Sequence, residues 1–112
     1  MVTQGGLTGL AGGACLREGE VALSLERMRG IEALDPVSAT MTVLAGTPLQ
    51  TVQEAADEAG FLFPLDLGAR GTATIGGNLA TNAGGNRVIR YGMMREQVLD
   101  LEAVLEIGRA HV

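Results

Sequence analysis

The chain reads as a domain that mixes one helix with short strands, and three observations carry that reading. Residues 30–45 have the pattern of a hairpin, residues 48–59 that of an amphipathic helix, and two glycine-rich runs at 5–13 and 76–85 interrupt the regular structure. Those runs hold nine of the 17 glycines, a clustering that marks two loops shaped for a purpose. Without a Cβ, backbone can turn sharply and present successive N–H groups to a negatively charged oxygen.

Taken in order, Val2-Thr3-Gln4 is the end of a strand leading into the first loop, and residues 21–25 (Val-Ala-Leu-Ser-Leu) are a short strand. Residues 30–34 and 39–45 form the hairpin, closed by Asp35-Pro36-Val37-Ser38. In its second arm Ala39, Met41, Val43 and Ala45 share one face while Thr40 and Thr42 take the other. Gly46 ends the strand, Thr47 is a good N-cap and Pro48 a good first helical residue. Leu49, Val52, Ala55, Ala56 and Ala59 then recur at helical spacing, with Gln50, Gln53, Glu54, Asp57 and Glu58 facing outward. Gly60 sits where a left-handed C-cap belongs, and Phe61-Leu62-Phe63-Pro64 continues extended. Residues 66–85 are too rich in small residues to pack a core, and are read as a long functional loop. Leu99, Leu101, Ala103 and Leu105 alternate with Asp100, Glu102 and Val104, the pattern of a closing strand.

Composition narrows the function classes. The net charge is −5 and the eight basic residues are all arginine, without a basic run, which argues against nucleic acid. Arg87, Arg90 and Arg95 gather after the second loop and offer local positive potential or, equally, a solvated face. No apolar run is long enough to span a bilayer, and a cytoplasmic location is expected. The single cysteine, Cys15, is expected to be a small packing residue, and no cluster of cysteine and histidine points to a metal. Residues 107–112 (Ile-Gly-Arg-Ala-His-Val) match the in-frame translation of a common sequencing adapter and are set aside as a tail, which removes the single histidine, His111, from consideration.

The two loops carry the chemistry. A diphosphate is held best by several converging N–H groups, and loop 5–13 supplies them, with the Thr8 hydroxyl set between glycines. The loop lacks the Gly-Lys-Ser/Thr ending of a P-loop and the complete strand and helix of a Rossmann fingerprint. In the second loop Asn78, Thr81 and Asn82 are neutral donor–acceptor side chains that suit the polar edge of a ring or a polyol chain. Asp66, read by itself, is more readily an Asx turn or a cap.

Three segments then carry a resemblance: Phe63-Pro64-Leu65-Asp66-Leu67-Gly68-Ala69-Arg70-Gly71, Thr74-Ile75-Gly76-Gly77-Asn78-Leu79-Ala80-Thr81-Asn82-Ala83-Gly84-Gly85, and Arg90-Tyr91-Gly92. Together they resemble the PCMH-type FAD-binding domain of the vanillyl-alcohol-oxidase superfamily, in the branch of the glycolate oxidase FAD subunit, D-lactate dehydrogenase and D-2-hydroxyglutarate dehydrogenase. The resemblance implies an α+β fold of two subdomains with FAD between them, residues 1–106 being part of that domain and a C-terminal substrate domain lying outside the chain. It implies that Gly5, Gly6, Thr8 and Gly9 wrap the diphosphate, that Pro64, Asp66, Gly68, Gly71 and Thr72 line the flavin and ribityl region, and that Gly76, Gly77, Asn78, Thr81, Asn82, Gly84 and Gly85 complete the cradle. Leu7 stands where members with a covalent flavin often carry histidine, so FAD is expected to be non-covalent. The implied activity is oxidation of a D-2-hydroxy acid of the lactate, glycolate or 2-hydroxyglutarate type by hydride transfer to flavin. The electron acceptor is left open, and no residue here is assigned as catalytic or as a metal ligand. Arg87 and Arg90 are named as substrate contacts only behind surface pairing or phosphate neutralisation. The competing readings are another oxidase on the same fold and a cofactor-binding module without chemistry.

Overall fold

A computed structural model describes the backbone of residues 1–105 and 107–111 and the side chains of 1–105 and 107–109. Strand β1 (Val2–Gln4) pairs in parallel with β2 (Ala22–Ser24), Val2 opposite Ala22 and Gln4 opposite Ser24, and the first glycine loop is part of the connection between them. Strands β3 (Ile31–Asp35) and β4 (Thr40–Val43) form the antiparallel hairpin expected at 30–45, with an irregularity between Ile31 and Ala33. Its tip is fixed by Asp35, whose carboxylate accepts from the Val37 N–H and the Ser38 hydroxyl. Met41 and Val43 are half-buried and Thr42 exposed, as alternation requires, whereas Ala39 has a φ of 54° and belongs to the turn.

Helix α1 (Leu49–Glu58) buries Leu49, Val52 and Ala56 and exposes Gln50, Glu54, Asp57 and Glu58. Gly60, at φ 82°, closes it with a double C-cap: the Gly60 N–H donates to the Asp57 carbonyl and the Phe61 N–H to that of Ala56. The helix starts differently from the sequence reading. Pro48 is its N-cap, and the Thr47 hydroxyl caps nothing in α1 because it is engaged with Gly30 and Leu44. Leu49, Leu65 and Met94 form the core, with Phe63, Leu67, Ile75, Leu79, Ala83 and Val98 packed around them. Each fully buried leucine there contributes about 2 kcal/mol.

The stretch read as one loop at 66–85 contains a helix, α2 (Ile75–Ala80), started by the Thr74 hydroxyl accepting from the Gly77 N–H. Helical periodicity cannot reveal six residues of which two are glycine; tertiary contact decides this element. The chain continues through α3 (Val88–Tyr91), a 3₁₀ turn at Met94–Gln97, and an antiparallel pair, β5 (Glu102–Leu105) with β6 (Gly108–His111). The closing strand is shorter than expected. Its partner reaches only residues 102–105, and Leu99 is 84% exposed. Residues 108–111, set aside as a tail, supply that partner strand, and the His111 side chain lies outside the described residues. No helix among the described residues is long and apolar enough to cross a membrane.

Candidate functional site

Residues 70–76 run as a rail along the entrance to α1. The Leu49 N–H donates to the Ala73 carbonyl at 2.8 Å, that of Gln50 to Arg70 at 3.0 Å, that of Ile75 to Thr47 at 2.9 Å and that of Gly76 to Ala45 at 2.8 Å. The first amides of α1 are therefore consumed inside the protein. The rail is also where the first glycine loop lands. A Cβ on Gly6 would stand 1.9 Å from the Thr72 carbonyl oxygen, and one on Gly5 would stand 2.4 Å from the Thr74 Oγ1. Gly6 is required because backbone meets backbone there, and Gly5 because the Thr74 side chain fills the space of a Cβ, before any ligand is considered.

Loop and rail together wall an open cleft of about 410 Å³. Gly5, Gly6 and Leu7 line one side, Gly71, Thr72 and Thr74 another, and Gly46, Pro48, Glu26 and Arg29 complete it. The N–H groups of Gly6, Leu7, Thr8 and Gly9 donate to no protein acceptor among the described residues, and Leu7 holds the left-handed conformation at φ 56°. An uncapped turn of this kind presents unpaired donors to an anion. A Cβ on Gly9 would meet nothing within 4 Å, so open space borders this stretch.

The second glycine run divides by role. Gly76 lies against Ala45, where a Cβ would come within 2.8 Å of that residue's own Cβ, and Gly85 lies against Asp66, 2.1 Å from its carbonyl oxygen by the same measure. Gly77 stands 3.1 Å from the Thr74 Oγ1 and Gly84 3.3 Å from Val88 Cγ2. The Thr81 hydroxyl donates to the Gly77 carbonyl at 2.9 Å, and Asn82, at φ 48°, accepts from the Arg95 N–H at 3.1 Å. Their side chains thus already have partners inside the protein. Asn78 differs: it is 5% exposed, and its side-chain Nδ2 has no hydrogen-bond partner among the described residues. A buried donor left unpaired costs about 1–3 kcal/mol, so an absent acceptor is the natural completion of this residue.

Asp66 is held by Arg70 at 3.0 Å, and Gln53 donates to its carboxylate at 3.5 Å. The Arg70 hydrogen bond keeps the carboxyl below the usual range against the opposing effect of burial, with smaller help from Gln53 and Asn86. Pro64 is half-buried, a Cβ on Gly68 would meet nothing within 4 Å, and Gly71 stands 3.3 Å from Gln50 Oε1. Of the residues expected to bind, then, Gly5, Gly6, Gly71 and Thr72 converge on the cleft, with Thr8 and Gly9 continuing its loop; Thr81, Asn82, Gly84 and Gly85 lie beyond, at the far end of α2.

None of Arg87, Arg90 and Arg95 lines this cleft. Arg90 stacks over the Tyr91 ring at 5.1 Å, and Arg95 borders a separate hollow of about 470 Å³ with Leu79, Val98 and Asp100. Cys15 is exposed, not packed, because the turn after Gly12, at φ 77°, brings its N–H to the Gly12 carbonyl at the surface. Glu26, Arg29, Gly46, Pro48 and Thr74 line the cleft without having been legible in the sequence as site residues. Nothing in the local sequence separates Arg29 from Arg27, and only the folded chain brings position 29 to the loop.

Comparison with known proteins places this geometry. The profile of a family described as "FAD binding domain" matches residues 1–112. A D-2-hydroxyglutarate dehydrogenase of Xanthomonas citri pv. viticola is 52% identical over 108 residues, which are 96% of this chain and 23% of the relative. A mitochondrial D-2-hydroxyglutarate dehydrogenase of Bos taurus is 47% identical over 105 residues, 94% of this chain and 19% of the relative. The chain thus spans about a fifth of the length of the curated relatives it matches. A solved structure of alkyldihydroxyacetonephosphate synthase superposes with a TM-score of 0.87 over 99% of this chain and 21% of that one, at 19% identity, which shows that the two share an α+β fold. The expectation of a cytoplasmic location is corrected: relatives from cattle, rice, Arabidopsis thaliana and fission yeast, the last named a putative D-lactate dehydrogenase, are all designated mitochondrial.

Proposed function

The chain belongs to the FAD binding domain family, and from that premise we propose that it is the cofactor-holding part of a flavoenzyme that oxidises a D-2-hydroxy acid. The names of its relatives favour a substrate of the 2-hydroxyglutarate or lactate type, with glycolate in the same chemical class. FAD, when bound, accepts the hydride of the substrate α-carbon. Every other contribution of this chain is binding and orientation.

The single observation that carries the assignment of roles is the unpaired set of N–H groups at Gly6, Leu7, Thr8 and Gly9 above a cleft walled by Gly71 and Thr72. These donors suit a diphosphate, and the buried, unpartnered Asn78 amide suits a carbonyl of the ring or a ribityl hydroxyl. Gly5, Gly76 and Gly85 act by close approach, to Thr74, Ala45 and Asp66 respectively, and Pro64 and Gly68 keep the flavin-side role the family resemblance implies. Thr81, Asn82 and Gly84 support the cradle from behind, while Asp66 and Gly77 hold its frame. Leu7 has no nucleophilic atom, so the flavin is held without a covalent bond.

Purification of the chain with FAD, followed by acid precipitation, tests the proposal. The expected outcome is a yellow protein whose flavin passes entirely to the supernatant. A chain that binds no FAD in a fluorescence titration overturns the reading.

A further inference from the structure

We propose that Arg29, through its guanidinium, is the cation that neutralises the cofactor diphosphate in the cleft, an assignment that rests on the FAD reading above. Arg29 lines the same cleft as Gly5, Gly6 and Leu7, is exposed, and forms no ion pair among the described residues. Glu26 lines the cleft too, so the two side chains together bring no net charge, and a diphosphate is attracted only where the guanidinium stands nearer to it than the carboxylate does. The amides of residues 6–9 offer direction but no full charge, in a chain of net charge −5. A diphosphate entering that field is best held where neutral donors and one fork-shaped cation meet.

Position 29 is built, not incidental. On one side the Met28 carbonyl accepts from the Gly46 N–H at 2.7 Å, an approach that only glycine permits, since a Cβ on Gly46 would stand 1.9 Å from the Leu25 carbonyl oxygen. On the other side Gly30, at φ 142°, is gripped by the buried Thr47 hydroxyl, which accepts from its N–H at 2.8 Å and lies 3.1 Å from its carbonyl. The Leu44 N–H binds the same carbonyl at 3.0 Å. The backbone on both sides of Arg29 is thus pinned to the segment that enters α1, and its side chain starts from a fixed point on the cleft wall. Arg27, two residues earlier, is exposed as well, yet it does not line the cleft.

The test compares the wild-type chain with R29Q and R29K by fluorescence titration with FAD and with riboflavin, which lacks phosphate, at low and at raised salt. R29Q is expected to weaken FAD roughly tenfold, to flatten the salt dependence of FAD binding and to leave riboflavin unchanged, while R29K recovers most of the loss. Unaltered circular dichroism is expected for both variants, because the residue is exposed. An FAD affinity and salt dependence in R29Q equal to wild type, or an equal loss for riboflavin, overturns the inference while leaving FAD binding by the chain intact. A wild-type chain that binds no FAD overturns the functional reading and the inference with it.

Discussion

Adding one methyl group at Gly6 separates two explanations of glycine in this fold. In G6A the new Cβ stands 1.9 Å from the Thr72 carbonyl oxygen, where side-chain carbons keep at least 3.0 Å, so loop or rail must retreat by 3.0 − 1.9 = 1.1 Å. Retreat is resisted. The rail is bonded to α1 and its entrance through Ala73 with Leu49, Arg70 with Gln50, and Ile75 with Thr47, and Thr72 itself donates to the Ala69 carbonyl. Overpacking against backbone that cannot yield costs about 2–3 kcal/mol, and for a domain of this size that lowers the unfolding temperature by roughly 10 °C. The control is G9A, where the methyl meets nothing within 4 Å and stability should change by less than about 0.5 kcal/mol, while FAD affinity falls several-fold because the methyl enters the space beside the free amides. Thermal unfolding by circular dichroism, paired with FAD titration, reads both effects. If G6A melts with the wild type, or G9A melts as early as G6A, glycine at these positions is not partitioned between wall packing and ligand access.

Other perturbations address single contacts. N78L removes a buried amide whose Nδ2 has no partner, so calorimetry should find stability equal or higher while FAD affinity falls about tenfold; a less stable variant with unchanged affinity would assign the residue to packing. T47V strips the hydroxyl that accepts the Gly30 N–H and should cost about 1–3 kcal/mol in chemical denaturation, with undiminished stability as the refuting result. Because Arg70 holds the Asp66 carboxyl below its usual range, the stabilisation this pair provides is present above the usual carboxylate value and is lost as the pH falls from there through the lowered one. D66N should therefore lie below wild type in unfolding temperature near neutrality and converge with it only as the pH falls below the usual carboxylate range, and a gap independent of pH would contradict the ion pair.

Short-range chemistry made most of the regular elements legible in the sequence: the alternation of Met41 and Val43 with Thr42, the helical spacing of Leu49, Val52 and Ala56, and the left-handed stop at Gly60 each follow from neighbours within a turn or two. The family resemblance was legible too, because the Pro, Asp, Gly and Asn positions of 63–92 form one continuous signature. Tertiary structure alone decided which glycine serves which purpose. Gly6 and Gly9 have the same covalent form and adjacent places in one loop, yet Thr72 closes on the first and open space borders the second. It likewise decided that Thr47 grips Gly30, 17 residues away, in place of capping the helix beside it, and that Arg29 borders the cleft while Arg87, Arg90 and Arg95 do not. A side chain's propensity is set by its own backbone, whereas its partner is set by which distant backbone the fold delivers to it, and that delivery has no period to read.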